Sequence, residues 1–242
     1  MKKILLLIIL LFAIYSYSQT TAEEYNNRGI AKGKLKDYKG AIQDFNKVIE
    51  LKPDYADAYY NRGMAKDDLK DYKVAIQDYN KAIELKPDYA DAYYNRGMAK
   101  DDLKDYRRAI QDYNKAIELR PDYVGAYCNR GIVKGELKDY KGAIQDFNKA
   151  IELKPDGADA YLNRGFAKDE LKDYRGAIQD YNKVIELRPD DAKAYLRRGL
   201  DKYMLFFLNS SLDKLDSACL DWSKAGELGA EKAYELIKKF CN

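Results

Sequence analysis

Residues 56–89, ADAYYNRGMAKDDLKDYKVAIQDYNKAIELKPDY, run without a gap into residues 90–123, ADAYYNRGMAKDDLKDYRRAIQDYNKAIELRPDY. The two stretches differ only at Lys73/Arg107, Val74/Arg108 and Lys86/Arg120. Their 34-residue spacing extends outward in both directions. Pro53, Pro87, Pro121, Pro155 and Pro189 keep it, and so do Gly29, Gly63, Gly97, Gly131, Gly165 and Gly199. A fixed period of this size signals a stacked-repeat architecture, and it turns the question of function into one about a surface.

Each period carries two apolar-periodic segments of about a dozen residues, too short to be stable helices alone in water. In 90–123, Ala92, Tyr93, Gly97 and Ala99 mark the first helix. Their small side chains let a second helix approach closely, along Ala109, Ile110, Tyr113, Ala116 and Ile117. Asp105 is placed to N-cap that second helix, Pro121 to stop it, and Asp122 to cap the next. One such hairpin cannot cover its own apolar face, so stacking on neighbours is obligatory.

With Gly29 as position 8, the units are 22–55, 56–89, 90–123, 124–157 and 158–191, and an altered sixth unit covers 192–229. Position 4 is Tyr25, Tyr59, Tyr93, Tyr127, Tyr161 and Tyr195; position 20 is Ala41, Ala75, Ala109, Ala143 and Ala177. Position 24 is Phe45, Tyr79, Tyr113, Phe147 and Tyr181, and position 27 is Val48, Ala82, Ala116, Ala150 and Val184. This pattern resembles the tetratricopeptide repeat (TPR) family, over roughly 22–229, in the manner of secreted bacterial members. The resemblance implies an all-α, right-handed superhelical solenoid of stacked helix-turn-helix repeats. It also implies a non-enzymatic scaffold for protein–protein interaction.

Three columns depart from the family in step. Position 7, usually leucine, is Arg28, Arg62, Arg96, Arg130, Arg164 and Arg198; position 23 is Asp44, Asp78, Asp112, Asp146 and Asp180. Both columns fall near the helix–helix seam. One reading is an internal ladder pairing Arg62 with Asp78, Arg96 with Asp112 and Arg130 with Asp146; the other is two independent exposed charges. A broken buried pair costs about 3–5 kcal/mol. Position 15, often glycine at the inter-helix turn, is Lys36, Lys70, Lys104, Lys138 and Lys172. If that turn needs positive φ, each lysine sacrifices up to about 1 kcal/mol.

The chain ends depart from the period. Lys2 and Lys3 precede an apolar run from Ile4 to Ile14, then Tyr15-Ser16-Tyr17-Ser18 and Gln19. A basic head, a short apolar run and small residues before the cut read as a secretory signal peptide over 1–18, cleaved after Ser18, with 19–21 opening the mature chain. The run falls short of the ~20 residues that span a bilayer, so no stable membrane anchor is expected after cleavage. No cysteine follows it to carry lipid. Secretion or a periplasmic location follows as an expectation. Near the other end, seven residues are inserted between Gly199 and the second-helix match at Ala218, Asp221, Trp222 and Ala225. A longer hairpin turning at Asn209-Ser210-Ser211 accounts for them, with Leu205–Leu208 buried against a capping helix in 230–242; a docking patch is the rival reading.

Cys219 lies ten residues before Gly229 and Cys241 twelve after it, similar heights on two antiparallel helices. We therefore expect a Cys219–Cys241 disulfide in an oxidising compartment. Cys128 is left over, a small apolar filler rather than a nucleophile.

The chain has no histidine, no glycine-rich phosphate loop and no cysteine pair at metal spacing. Its carboxylates recur with the period, so no unique acid–base pair stands out, and neither enzyme activity, metal nor cofactor is indicated. The whole chain has 43 basic and 40 acidic residues; without Lys2 and Lys3 the balance is 41 to 40. No basic stripe points to nucleic acid.

By resemblance, first-helix positions 2, 5, 6, 9, 12 and 13 line a concave groove. These supply Tyr60, Asn61, Met64, Asp67 and Asp68, then Tyr94, Asn95, Met98, Asp101 and Asp102, then Asn129, Ile132, Asn163 and Phe166. The groove reads as an apolar floor with an acidic rim and an asparagine row able to hold a peptide backbone. The plainer reading is a family preference for asparagine and a solvated charged face. Lysine and arginine are absent where TPR proteins clamp acidic C-termini (Tyr60, Asp68, Tyr94, Asp102), so the expected partner is a protein or peptide with basic and apolar groups. A structural or self-associating spacer, suited by the near-identical units 56–89 and 90–123, and a carbohydrate binder using Tyr60 and Tyr94 remain open.

Overall fold

A computed structural model describes residues 21–209 and 212–241. The leader read over 1–18 lies outside the described residues, as do Ser210 and Ser211 of the expected hairpin turn. Among the described residues every regular element is an α-helix. The chain divides into two compact units between Pro121 and Asp122. The first contains α1 (21–34), α2 (Tyr38–Leu51), α3 (Ala56–Asp68), α4 (Tyr72–Leu85), α5 (Ala90–Asp102) and α6 (Tyr106–Leu119). The second contains α7 (Val124–Glu136), α8 (Tyr140–Leu153), α9 (Ala158–Glu170), α10 (Tyr174–Leu187), α11 (Ala192–Asn209), α12 (Leu212–Glu227) and α13 (Glu231–Phe240).

Within the first unit α3 packs on α4 and α5 on α6, while α2 meets α3 and α4 meets α5. In the second, the hairpins α7/α8, α9/α10 and α11/α12 stack through α8–α9 and α10–α11, and α13 lies on α12. Small residues set the spacing. Ala75 and Ala109 are wholly buried, as are the rings of Tyr79, Tyr113 and Tyr181. A Cβ added at Gly63 would stand 2.8 Å from Tyr79 Cε1, closer than packed atoms come. That glycine is there for the ring to rest on. Trp222 takes the ring's place in the last hairpin, over Gly199.

The inter-helix turns have one design. Lys36, Lys70, Lys104, Lys138 and Lys172 all hold φ of 62–63°, the left-handed region that favours glycine. After α3, Lys70 N–H donates to the Asp67 carbonyl (2.7 Å) and Asp71 N–H to the Lys66 carbonyl (2.9 Å). This is the two-bond C-terminal motif that usually closes on glycine, with lysine in the strained position.

The capping expectations need correction. Asp105 occupies the N-cap of α6, but its side chain makes no capping bond. Asp37, Asp139 and Asp173 do cap, accepting from Gly40, Gly142 and Gly176 N–H. The reason is steric: a Cβ at Gly40 would lie 2.1 Å from Asp37 Oδ2. Before α6 the third helical residue is Arg108, and Asp105 pairs with its guanidinium at 3.1 Å instead. Asp122 does not cap α7 either; Tyr123 holds that position without a side-chain bond.

At the C-terminal end Gly229, at φ 91°, closes α12. Trp222 is wholly buried among Tyr203, Phe240 and the helix α13. Cys219 and Cys241 form a disulfide, Cα–Cα 5.8 Å, tying α12 to the end of α13. The expected burial of Leu205–Leu208 is corrected in part. Leu205 and Phe206 are half-buried, but Phe207 is 72% and Leu208 61% exposed. The core around Trp222 draws on Tyr203 and earlier turns of α11, and α13, ten residues long, covers that level rather than the hairpin's far end.

Candidate functional site

The seam between the two helices of each repeat carries a buried charge cluster. Asp78 and Asp112 are about 4% exposed. Arg62 donates twice to Asp78, from Nε (2.9 Å) and Nη2 (2.6 Å), and Lys66 Nζ sits 2.7 Å from the same carboxylate. Arg96 and Lys100 repeat this on Asp112, and Arg130 and Lys134 on Asp146. Arg62 Nη1 also reaches the preceding repeat, donating to Asn46 Oδ1 at 2.6 Å, and Arg96 does so to Asn80 at 2.7 Å. Each guanidinium lies over a position-4 ring, as Arg62 over Tyr59 at 5.5 Å. Fork-shaped donors saturate the carboxylate. Sequence reasoning missed the lysine and the asparagine. Their columns (Lys66, Lys100 and Lys134; Asn46 and Asn80) recur with the period as the arginines do, which was the signal in the sequence, but a polar residue on a helix ordinarily meets water. These clusters are spent on holding hairpins together and offer little to a ligand.

The remaining face is formed by the first helices. In the first unit Tyr60 packs on Tyr89 (4.8 Å between ring centroids) and Tyr79 (6.1 Å), and its hydroxyl accepts from Asn95 Nδ2 at 2.7 Å. Burial raises the Tyr60 phenol to about 12. Its ring and hydroxyl are thus committed to the fold, which weakens its case as a sugar-stacking platform, and Asn95 is committed with it. Tyr94 packs likewise on Tyr113, at 6.0 Å. Met64 is exposed and Met98 half-buried. Asp68 and Asp102 are exposed, Asp67 and Asp101 half-buried. Burial, then the charges of Asp102 and Asp68, push the Asp67 carboxyl up to about 6.

Among the described residues three clefts open along the first helices, one in the first unit and two in the second. The first, about 290 Å³, lies among α1, α2 and α3, with Gly33, Phe45, Asn61, Met64 and Asp68 in its walls. The second, about 340 Å³, lies among α7, α8 and α9, with Ile132, Gly135, Phe147, Asn163 and Phe166. Arg197 stacks over Phe166 at 4.8 Å on the far side. The third, about 350 Å³, lies there among α9, α10 and α11, with Leu162, Phe166, Tyr181, Leu196 and Arg197 in its walls. Sequence reasoning placed Asn61, Met64, Asp68, Ile132, Asn163 and Phe166 here but overlooked the glycines that open the first two clefts. Asn129 and Cys128 are half-buried on α7; burial pushes the Cys128 thiol up, away from nucleophilic use.

A second feature escaped the sequence. Asp201, 1% exposed, stands where other repeats carry alanine or valine, and it shares a hydrogen bond with Asp169 of the preceding repeat. Burial first, then the Asp169 charge, drives Asp201 far above the ordinary carboxylate range, so the pair holds a proton between them. Arg197 lies 3.6 Å from Asp169. Among the described residues no group of three acidic or cysteine side chains is arranged to hold a metal, and no helix is long and apolar enough to cross a membrane.

The family model described as "Tetratricopeptide repeat" matches residues 90–123 and 158–191, and the one described as "TPR repeat" matches 31–66, 68–100 and 135–169. No curated protein matches the chain. Among solved structures, the MamA protein is 28% identical, with TM-score 0.65 over 72% of this chain and 94% of that one. YrrB, described as a TPR protein with an unusual peptide-binding site, is 24% identical, TM-score 0.62, over 70% and 88%. PilF of Pseudomonas aeruginosa, 19% identical, superposes over 92% of this chain and 98% of its own with TM-score 0.76. At such identities the last two share the fold.

Proposed function

The chain belongs to the tetratricopeptide repeat family, a family of interaction scaffolds, and on that footing we propose that its first-helix face binds a protein segment bearing apolar and basic groups, outside the cytoplasm. The observation that carries this reading is the carboxylate crowd beside Met64. Burial first, then the charges of Asp102 and Asp68, hold Asp67 at about 6, and Asp67 Oδ1 is buried without a protein partner among the described residues. A cation brought by a ligand relieves that repulsion, while the exposed Met64 side chain loses apolar surface to water on contact. The committed hydrogen bonds of Asn95 and Tyr60 leave Asn61 and Asn163, at the clefts, as the asparagines best placed to meet a ligand's backbone.

Export is supported by the basic–apolar leader read at 1–18 and by the Cys219–Cys241 bond, which suits an oxidising compartment. Sequencing of the mature amino terminus, with Gln19 expected first, tests it.

The binding reading is tested by capture from an envelope extract over a salt series. The wild type should lose partner as salt rises, and a variant with Asp67, Asp68, Asp101 and Asp102 changed to Asn should bind less and lose less. Equal capture by both proteins at every salt concentration removes the charged rim from the account. No partner at all, with a mass that grows with concentration, favours the self-associating spacer that the near-identical units 56–89 and 90–123 also suit.

A further inference from the structure

The five regular repeats are of two kinds. In the second, third and fifth, position 12 is Asp67, Asp101 or Asp169, and position 24 is Tyr79, Tyr113 or Tyr181. In the first and fourth, position 12 is Gly33 or Gly135, and position 24 is Phe45 or Phe147. Aspartate goes with tyrosine and glycine with phenylalanine, without exception. The two positions share one space: burial first, then the Asp67 charge, raises the Tyr79 phenol, and burial, then the charges of Asp201 and Asp169, raises that of Tyr181. Where glycine meets phenylalanine, both polar groups are gone and the space opens outward as the first two clefts. The cleft beside Tyr181 in the fifth repeat has no such glycine and is lined by the cations Lys193 and Arg197 instead. A Cβ added at Gly33 or Gly135 meets nothing within 4 Å, so these glycines are not demanded by packing.

Resting on the binding face argued above, we propose that the two glycine-lined clefts are matched subsites, each taking one bulky apolar side chain from a peptide whose adjoining residue is basic. Ile30, Met64 and Phe45 wall the first, and Ile132, Phe147 and Phe166 the second. At about 290 and 340 Å³ they sit at the lower end of ligand pockets, which run from roughly 300 Å³ upward. Each lip presents an asparagine amide, Asn61 or Asn163, suited to a backbone amide. Each lip also carries a lysine, Lys34 or Lys138. Each lining sets one carboxylate against that lysine, Asp68 at the first and Glu136 at the second. Just outside the linings, Asp67 next to Asp68 and Glu170, which accepts from Tyr140 of the second wall, tip the surroundings to negative. The charge balance therefore selects a cationic neighbour for the apolar anchor.

The test is methyl NMR on the full chain, labelled at isoleucine and methionine, titrated with N-acetyl-Phe-Lys-amide and, separately, N-acetyl-Phe-Glu-amide. The lysine peptide should shift Ile30, Met64 and Ile132 saturably, and the glutamate peptide should shift them less. The double variant Gly33→Asp/Phe45→Tyr installs the second repeat's pair. It should abolish the response at Ile30 and Met64 and leave Ile132 responding as before, which also shows the second unit intact; Gly33→Asp alone should do the same. A first-cleft response that survives both variants overturns the subsites, and equal response to the two peptides overturns their charge preference. Shifts at Met98 without shifts at Ile30 or Ile132 overturn the subsites while leaving the binding face standing. No shift in any first-helix methyl overturns both.

Discussion

Replacing Asp112 with alanine probes the seam at one of its repeated charge clusters. Asp112 accepts from Arg96 Nε (2.9 Å) and Nη2 (2.6 Å) and from Lys100 Nζ (2.7 Å). The arginine and lysine side chains are only 17% and 15% exposed. Without the carboxylate, two poorly hydrated cations face each other, at a cost of about 3–5 kcal/mol. Arg96→Ala is milder, since Asp112 keeps Lys100; the loss is that of charged hydrogen bonds, about 1.5–3 kcal/mol. The bond from Arg96 to Asn80 goes with it. In the double variant Lys100 is the single charge remaining, so the two costs overlap by about 2 kcal/mol, within the usual range for contacting residues. Native-state hydrogen exchange of peptides from α5 and α6 reads this locally, which matters because repeat arrays do not unfold as one cooperative block. Trp222, buried in the other unit, gives an independent fluorescence check that the damage is confined. If the single costs add within about 0.5 kcal/mol, the cluster acts as separate surface charges and the seam argument fails.

Lys70→Gly should raise stability by up to about 1 kcal/mol, because Lys70 sits at φ 62° where glycine is unstrained; the urea midpoint reports it, and a fall would show the lysine stem is needed. Asp201 is held protonated by burial and by Asp169, with Arg197, Asp173, Tyr174 and Tyr181 around the pair. A pKa raised on folding gives stability that is present in acid and lost as pH rises above the unfolded carboxylate value of about 3.9. Asp201→Asn should thus gain on the wild type with rising pH, by up to about 1.4 kcal/mol per pH unit; a pH-independent difference in urea stability contradicts the shared proton. Opening the Cys219–Cys241 bond, whose cysteines are 22 residues apart, should cost about 3 kcal/mol in the α12–α13 cap, seen as an earlier loss of Trp222 fluorescence in urea. An unchanged transition would mean α13 is held by packing alone.

The period made the fold legible. Gly63 under Tyr79, Ala75 at the seam and Pro87 after α4 each have one physical use, repeated until no other reading survives. Arg62 and Asp78 could be paired in advance because both columns abandon the family pattern together, and a charge at a seam needs a counter-charge. Lys66 could not, since a lysine on a helix usually points to water. The Asp105 cap failed for a reason visible only in three dimensions: whether Asp caps depends on a glycine three residues later, as at Gly40. Asp169 and Asp201 meet from non-equivalent positions of neighbouring repeats, a contact that comparing columns cannot reveal. At Phe207 the apolar run was legible, but how far α13 reaches was not. The clefts were half legible: Asn61, Met64, Ile132 and Phe166 were on the expected face, while Gly33 and Gly135 break the aspartate column without any period of their own to draw notice.

Site-specific photo-crosslinking in the native envelope tests the central claim most directly, with the reactive residue at Met64 on the first-helix face or at Glu84, exposed on α4. The account predicts adducts from position 64 whose captured segments join a large apolar residue to lysine or arginine, and few or none from position 84. Adducts confined to position 84, or consisting solely of a second copy of this chain, would contradict it.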